Sequence, residues 1–358
     1  MLREGGGGGC DILGSAYISA PNAMVDPTDK KRIAVIGAGS WGTALVKLLS
    51  TNADQVGWWV RRHETIAHIA KYGHNPDYIS AAQFEVERLA MNTDLHAVVK
   101  NADVLVVAVP SAFLKATMEQ LDPSELRGKI LFSAVKGIVP ETNQIVGEYL
   151  FAYWGVPKEN FGVICGPCHA EEVAMERLSY LTIASQNNAH AQRMGHALNG
   201  RSMKTTLSDD IYGTEYAAIL KNVIAVCSGI SVGLGYGDNF RAVLVSRAIQ
   251  EIARFVQAVH PIARDINEPA YLGYRLVTAY STFSRNREFG TMIGKGYSVK
   301  AAQMEMNMVA EGYYAVKCVH EINAKLKVDM PITEATYGML YERVVPINAM
   351  RLLSEKLA

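Results

Sequence analysis

Lys221 is the residue of this chain whose neighbours most invite chemistry. It stands in Tyr216-Ala-Ala-Ile-Leu-Lys-Asn-Val-Ile-Ala-Val-Cys227, and at helical spacing it is flanked by Ala217, Ala218, Ile224 and Ala225. An ammonium on such an apolar face is desolvated, which lowers its pKa toward the range where it exchanges protons with a substrate. The plain alternative is a lysine snorkelling from the rim of a buried helix. Asn222 beside it adds a neutral hydrogen-bonding group. Lys136 directly follows the apolar run Ile130–Val135, at the end of a strand where doubly wound sheets bind ligands; a solvated loop lysine is the competing reading. Ser284-Arg285-Asn286-Arg287, taken as a glycine-bearing loop before Phe289-Gly290, brings a guanidinium fork together with an amide. That pair suits the phosphate or carboxylate of a small substrate, against an arginine-rich surface loop. Cys165-Gly-Pro-Cys168 has C-x-x-C spacing, but no second pair completes a zinc site and Pro167 lies inside it, so no metal is expected. The histidines and the run Met304, Met306, Met308 are read as packing and surface.

These groups need a scaffold, and the scaffold announces itself at Lys31–Gly42. An apolar run rich in β-branched residues, Ile33–Ile36, stops at Gly37, and an Ala/Leu-rich helical pattern follows. Gly37, Gly39 and Gly42 have G-x-G-x-x-G spacing. The first permits the turn, the second admits a pyrophosphate to backbone N–H groups, and the third lets helix meet strand; the helix N-terminus adds partial positive charge. A dinucleotide site is expected here, although a purely structural turn has the same pattern. After the second strand, where an NAD-selective site carries an acidic residue, stand Arg61 and Arg62, which can stack on adenine and hold a 2′-phosphate. NAD and NADP both remain open as cofactor.

Strands are expected at 31–36, 55–60, 103–109, 130–135, 161–165, 180–185 and 203–206. Helices are expected at 41–50, 63–71, 111–120, 141–150, 170–177 and 188–198. The alternation means right-handed βαβ units in a parallel sheet. Beyond about residue 207 the pattern is helical only, at 211–230, 240–259, 299–326 and 333–343. The expected organisation is a tail over 1–29, glycine-rich and disordered, with Met24 as a plausible start. An α/β doubly wound (Rossmann-like) domain over 30–206 follows, then an all-α domain over 207–358 that carries substrate chemistry. With 358 residues, two cores are the default. A net charge of zero argues against nucleic acid as the main partner. The apolar stretches Val104–Val109 and Val223–Leu234 read as too short or too glycine-broken to span a bilayer. Five cysteines at irregular spacing suit a reducing compartment, the cytoplasm.

Together these pieces resemble the NAD(P)-dependent sn-glycerol-3-phosphate dehydrogenase family of the bacterial soluble type. The resemblance rests on Gly-Ala-Gly-Ser-Trp-Gly-Thr-Ala-Leu (37–45), Ala-Val-Lys-Gly-Ile (134–138), Gly-Pro-Cys-His-Ala-Glu-Glu-Val (166–173) and Leu-Lys-Asn-Val (220–223). It continues through Gly-Asp-Asn (237–239), Ser-Arg-Asn-Arg-Glu-Phe-Gly (284–290), Val-Ala-Glu-Gly-Tyr (309–313) and Met-Pro-Ile-Thr-Glu (330–334).

The resemblance implies an oxidoreductase of glycerophospholipid metabolism that reduces dihydroxyacetone phosphate to sn-glycerol 3-phosphate with NADH or NADPH. By position, Lys221 matches the general acid/base and Lys136 a second active-site lysine. Gly166, Cys168, Asn222, Thr278, Ser284, Arg285 and Asn286 match substrate positions, with Arg285 and Asn286 at the phosphate. Ser40, Trp41, Arg61, Phe113, Ala170, Val309 and Glu311 match cofactor positions beside the three glycines, and Arg62, Lys136 and Arg285 are further cofactor candidates. A homodimer is an open expectation. Where the family reads Gly-Asp-Leu, this chain has Gly273-Tyr274-Arg275, with Thr278 kept. Two other readings stay open: a two-domain dehydrogenase of a 3-hydroxy acid, and a non-catalytic dinucleotide-binding relative, the latter motivated by Tyr274.

Overall fold

The computed structural model describes residues 31–273, 284–306 and 310–357. Eight strands form a single sheet: β1 (Ile33–Ile36), β2 (Val56–Trp59), β3 (Leu89–Asn92), β4 (Val104–Val107), β5 (Ile130–Ser133), β6 (Phe161–Cys165), β7 (Ser179–Ser185) and β8 (Met203–Ser208). Their order is β3-β2-β1-β4-β5-β6-β7-β8. From β3 through β6 every pair is parallel, with Val35 opposite both Trp58 and Val106. Strands β1, β4, β5 and β6 are buried along their whole length, as continuous apolar runs demand when helices cover both faces. The order reverses between β1 and β4, so the C-terminal ends of these two strands flank the crevice where such sheets take ligands.

One expectation fails at β7. It runs antiparallel to β6, pairing Ile164 with Ile183, and only β7 and β8 are again parallel. The connection carries a helix of five residues, α6 (Ala170–Ala174). At 1.5 Å per residue that is about 7 Å, too short to carry the chain back along a strand for a parallel crossover.

The sheet is flanked by α1 (Ser40–Asn52), α2 (His63–Tyr72), α3 (Leu95–Lys100), α4 (Ser111–Met118), α5 (Val146–Trp154), α6 and α7 (Asn188–Leu198). After β8 the described elements are helical. They are α8 (Ile211–Gly233), α9 (Asp238–Val259), a π-turn at Pro269–Gly273, α10 (Arg285–Gly294), α11 (Val299–Glu305), α12 (Glu311–Leu326), α13 (Pro331–Tyr341) and α14 (Pro346–Lys356).

Helix α8 is the axis of this part. As a whole, and beyond the stretch Val223–Leu234 read from sequence, it is long and apolar enough to cross a membrane, but 89 % of its most apolar window is buried inside the protein. Asp210 starts it by accepting from Gly213 N–H at 2.9 Å, and the same carboxylate binds the Arg264 guanidinium and accepts from Tyr271 Oη at 2.5 Å. Two buried glutamates cap other helices from a distance. Glu215 of α8 accepts from Gly147 N–H at the start of α5 (3.1 Å), and Glu251 of α9 accepts from Ile332 and Thr333 N–H at the start of α13 (2.8 and 3.0 Å).

Where α8 meets α10, main chain touches main chain. A Cβ on Gly229 would lie 2.1 Å from the Arg287 carbonyl oxygen, and one on Gly290 would lie 2.1 Å from that of Val226. One turn further on, Gly233 and Gly294 repeat the contact, at 2.4 Å from Thr291 O and 2.3 Å from Ile230 O. This approach sets the start of α10 beside the middle of α8.

Candidate active site

The cofactor side is built on the turn after β1. Gly37 has φ +124°, and a Cβ there would lie 2.7 Å from the Ala108 carbonyl oxygen. A Cβ on Gly42 would meet Gly37 O at 2.3 Å, whereas around Gly39 nothing lies within 4 Å. The three glycines thus have different causes: a left-handed turn, a helix pressed on a strand, and open space. That space lies over the first turn of α1, where Ser40, Trp41 and Gly42 present N–H groups and no side chain caps the helix. The Trp41 Nε1 is buried with no hydrogen-bond partner among the described residues. A cradle of this kind fits the pyrophosphate of a dinucleotide.

Arg61 and Arg62 follow Val60 at the end of β2, both exposed. Arg62 is ion-paired with Asp77. Phe113, in the first turn of α4, is 53 % exposed, a large apolar ring left open beyond β4. Ala170, buried, is the first residue of α6. Glu311 is the first residue of α12, and its Oε1 accepts from Ser111 N–H at the start of α4 (3.2 Å). One carboxylate thereby ties the sheet side to the helical side. Thr278, Tyr274 and Val309 lie outside the described residues.

Lys136 extends from the end of β5. Its ammonium lies 3.4 Å from the Cys168 carbonyl oxygen and 4.1 Å from the centre of the Trp41 ring. Its own carbonyl accepts from Asn222 Nδ2 at 2.8 Å, which fastens α8 to the end of β5. Gly166 and Cys168 follow β6, both buried, and the Cys168 thiol donates to Tyr180 O at 3.1 Å. Burial pushes that thiol's pKa up, so it serves as a small neutral group.

Lys221, 9 % exposed, lies in the middle of α8. Burial pulls its pKa down to about 7; the nearby charges of Lys136 and Arg285 act in the same direction, and Glu311 opposes. Lys136 is likewise lowered, by burial first. Arg285, Asn286 and Ser284 do not form the loop expected from sequence. Ser284 is the N-cap of α10, its Oγ accepting from Arg287 N–H at 3.3 Å, and Arg285 opens the helix. Ser, Arg and Asn in a row read as a polar loop, but a serine cap with an acidic residue, Glu288, in the first turn is also a helix start. Asn286 Oδ1 accepts from Gly312 N–H at 2.8 Å, joining α10 to α12.

His169 escaped the sequence reading, which put the histidines among packing and surface residues. Burial, then the charges of Lys221, Lys136 and Arg285, lower its pKa to about 4, so it faces the site as a neutral imidazole. Its position directly after Cys168, on the loop leaving a buried strand, was the available signal.

Residues 32–191 match the family model for the N-terminus of NAD-dependent glycerol-3-phosphate dehydrogenase, and residues 210–351 match the model for its C-terminus. The chain belongs to this family. It is 36 % identical over 311 residues to the glycerol-3-phosphate dehydrogenase [NAD(P)+] of Chlorobium limicola, an alignment covering 87 % of this chain and 93 % of that one. To the enzyme of the same name from Bacillus subtilis it is 32 % identical over 312 residues, covering 87 % and 90 %. The crystal structure of glycerol-3-phosphate dehydrogenase from Coxiella burnetii superposes with a TM-score of 0.85 at 29 % identity, covering 91 % of this chain and 99 % of that one. The family is one of oxidoreductases using NAD or NADP, in agreement with the cradle at Gly37–Gly42.

Proposed function

We propose that this chain reduces dihydroxyacetone phosphate to sn-glycerol 3-phosphate with NADH or NADPH, and catalyses the reverse oxidation. The observation that carries the reading at residue level is Lys221: a buried ammonium with a pKa near 7, grouped with Lys136, Arg285 and Glu311. In this reading residues 30–206 hold the dinucleotide and 207–358 supply substrate chemistry. The four described cysteines are free and buried, which suits a reducing cytoplasm.

The dinucleotide supplies the hydride when bound. Gly37, Gly39, Ser40, Trp41 and Gly42 would hold its pyrophosphate, Arg61 and Arg62 would meet its adenosine end, and Phe113, Ala170 and Glu311 would line the remainder. Arg285 and Asn286 take the substrate phosphate: the guanidinium offers a charged fork, and the bond to Gly312 fixes the amide so that Nδ2 is the donor it presents. Lys221 donates its proton to the carbonyl oxygen as negative charge develops there, and takes it back in the oxidation. Lys136 places a second positive charge nearby, which stabilises the developing alkoxide in a site shielded from water. The Ser284–Asn286 corner favours a phosphorylated substrate over a plain 3-hydroxy acid.

The test is Lys221→Ala. Dihydroxyacetone phosphate-dependent oxidation of NADH and NADPH is expected to fall by about 10²- to 10⁴-fold, with nucleotide binding preserved. Wild-type turnover in that variant sinks the assignment of Lys221. Tight nucleotide binding by the wild-type chain without turnover, rescued by Tyr274→Asp, favours the non-catalytic reading instead.

A further inference from the structure

Beside the cofactor turn lies the loop after α2, which carries Asp77, the ion-pair partner of Arg62. Asn75 is fully buried, and its Nδ2 donates to the Ala38 carbonyl (3.1 Å) and to Thr43 Oγ1 (3.0 Å), both part of the turn and of α1. The Asn75 Oδ1 accepts from the N–H groups of Asp77 (3.0 Å) and Tyr78 (3.3 Å). One buried amide therefore ties the loop after α2 to the cofactor turn and fixes the backbone of Asp77. The far side of the loop is held as well, by Phe84 N–H to Gly73 O (2.7 Å) and Lys47 Nζ to Gln83 O (2.6 Å). From this anchored position Asp77 holds the Arg62 guanidinium, while Arg61 makes no ion pair among the described residues.

We propose that Asp77 is a specificity-determining residue: by holding Arg62 it competes with the adenosine 2′-phosphate for that guanidinium, and so keeps the chain open to NADH as well as NADPH. The inference rests on reading the turn at Gly37–Gly42 as the dinucleotide site. A guanidinium offers its planar edges to a carboxylate or to a phosphate in the same way, so the two compete for the edge that Asp77 holds. A 2′-phosphate must displace or share the Asp77 carboxylate. A 2′-hydroxyl carries no such penalty. The backbone anchoring distinguishes Asp77 from an ordinary mobile surface partner, whose pairing costs side-chain entropy each time it forms.

Asp77→Asn removes the charge and keeps the shape, and the bond from its backbone N–H to Asn75 is unaffected. Calorimetric titration with adenosine 2′,5′-bisphosphate and with 5′-AMP reads the effect without any turnover. Asp77→Asn is expected to tighten the bisphosphate roughly three- to fivefold, the scale of one partly exposed ion pair, while 5′-AMP is unchanged. The gain is expected to shrink with added salt and to vanish in the double variant with Arg62→Ala. The NADPH to NADH ratio of kcat/KM moves the same way. Unchanged or weaker bisphosphate binding, or a gain that survives Arg62→Ala, overturns the proposal. Failure of both nucleotides to bind the wild-type chain overturns the dinucleotide site itself, and the proposal with it.

Discussion

The Lys136 ammonium lies 4.1 Å from the centre of the Trp41 ring, joining the glycine turn on the cofactor side to a lysine at the end of β5. A buried cation loses its hydration, and the electron-rich ring face returns part of it, on a scale of about 0.5–2 kcal/mol. Trp41→Leu is therefore expected to raise KM for dihydroxyacetone phosphate by roughly two- to thirtyfold. Trp41→Phe, which keeps a ring face, is expected to lose less. Equal losses in the two variants, measured by steady-state kinetics, would assign the effect to packing alone.

Lys221 gives the reaction a pH signature. Its pKa is lowered to about 7, chiefly by burial. Reduction needs the protonated ammonium, so kcat/KM for dihydroxyacetone phosphate is expected to fall about tenfold per pH unit above 7. Oxidation of glycerol 3-phosphate needs the neutral amine, so its kcat/KM is expected to rise with pH and level off above about 7. A reduction profile flat from pH 6 to 9 would remove Lys221 from the proton transfer.

The contact between α8 and α10 has no room for a methyl group. In Gly290→Ala the new Cβ would meet Val226 O at 2.1 Å, and backbone has no rotamer by which to yield. The helices must separate, at a cost of about 1–3 kcal/mol or more. Because Ser284, Arg285 and Asn286 begin α10, KM for the phosphorylated substrate is expected to rise along with the drop in Tm. Leu198→Ala, a buried position on α7 remote from this contact, serves as a control for stability loss alone.

Glu251 makes stability fall as the solution becomes less acidic. Burial raises its carboxyl to about 7, against the donors of Thr333 and Ile332. Glu215, also raised by burial, stands at about 8. In both, the folded state holds the proton more tightly than the unfolded chain, whose value is near 4.5. Their contribution is complete below pH 4.5 and is lost as pH rises through 7 and 8. Denaturant unfolding at a series of pH values is expected to show a negative slope between pH 5 and 8. Glu251→Gln is expected to flatten that slope and cost about 1–3 kcal/mol, because an amide N–H then faces the donors of α13. An unchanged slope would show that neither carboxyl titrates there.

The parts of the fold legible in sequence were those with a strong local signal. The run Ile33–Ile36 with its glycines, and the unbroken apolarity of Val104–Val107, needed little context. Strand β3, Leu89–Asn92, was missed because only Leu89 of its four residues is buried, which gives neither alternation nor an apolar run. Helix α14 was missed for the opposite reason: Ile347 and Leu352 are half exposed, so its apolar residues do not trace a clean buried stripe. A continuous periodicity joined 299–326 into one helix, but α11 ends at Glu305 and α12 begins at Glu311. At the site, Lys221 was legible because its burial is a property of its own helix. The Asn222 bond to Lys136, the Glu311 bond to Ser111 and the Arg62 pair with Asp77 were not, since each joins segments that only the fold brings together.

The four glycines between α8 and α10 limit how this chain's chemistry can drift. Two helices that meet through side chains can be re-spaced by exchanging a leucine for a valine. Two that meet through peptide groups cannot. The reach from Lys221 to the corner at Ser284–Asn286 is thus a main-chain length, outside the range of compensating core substitutions. A lineage exploring longer or shorter substrates must alter the donors on α10 or the loops facing them, because the span itself is not adjustable.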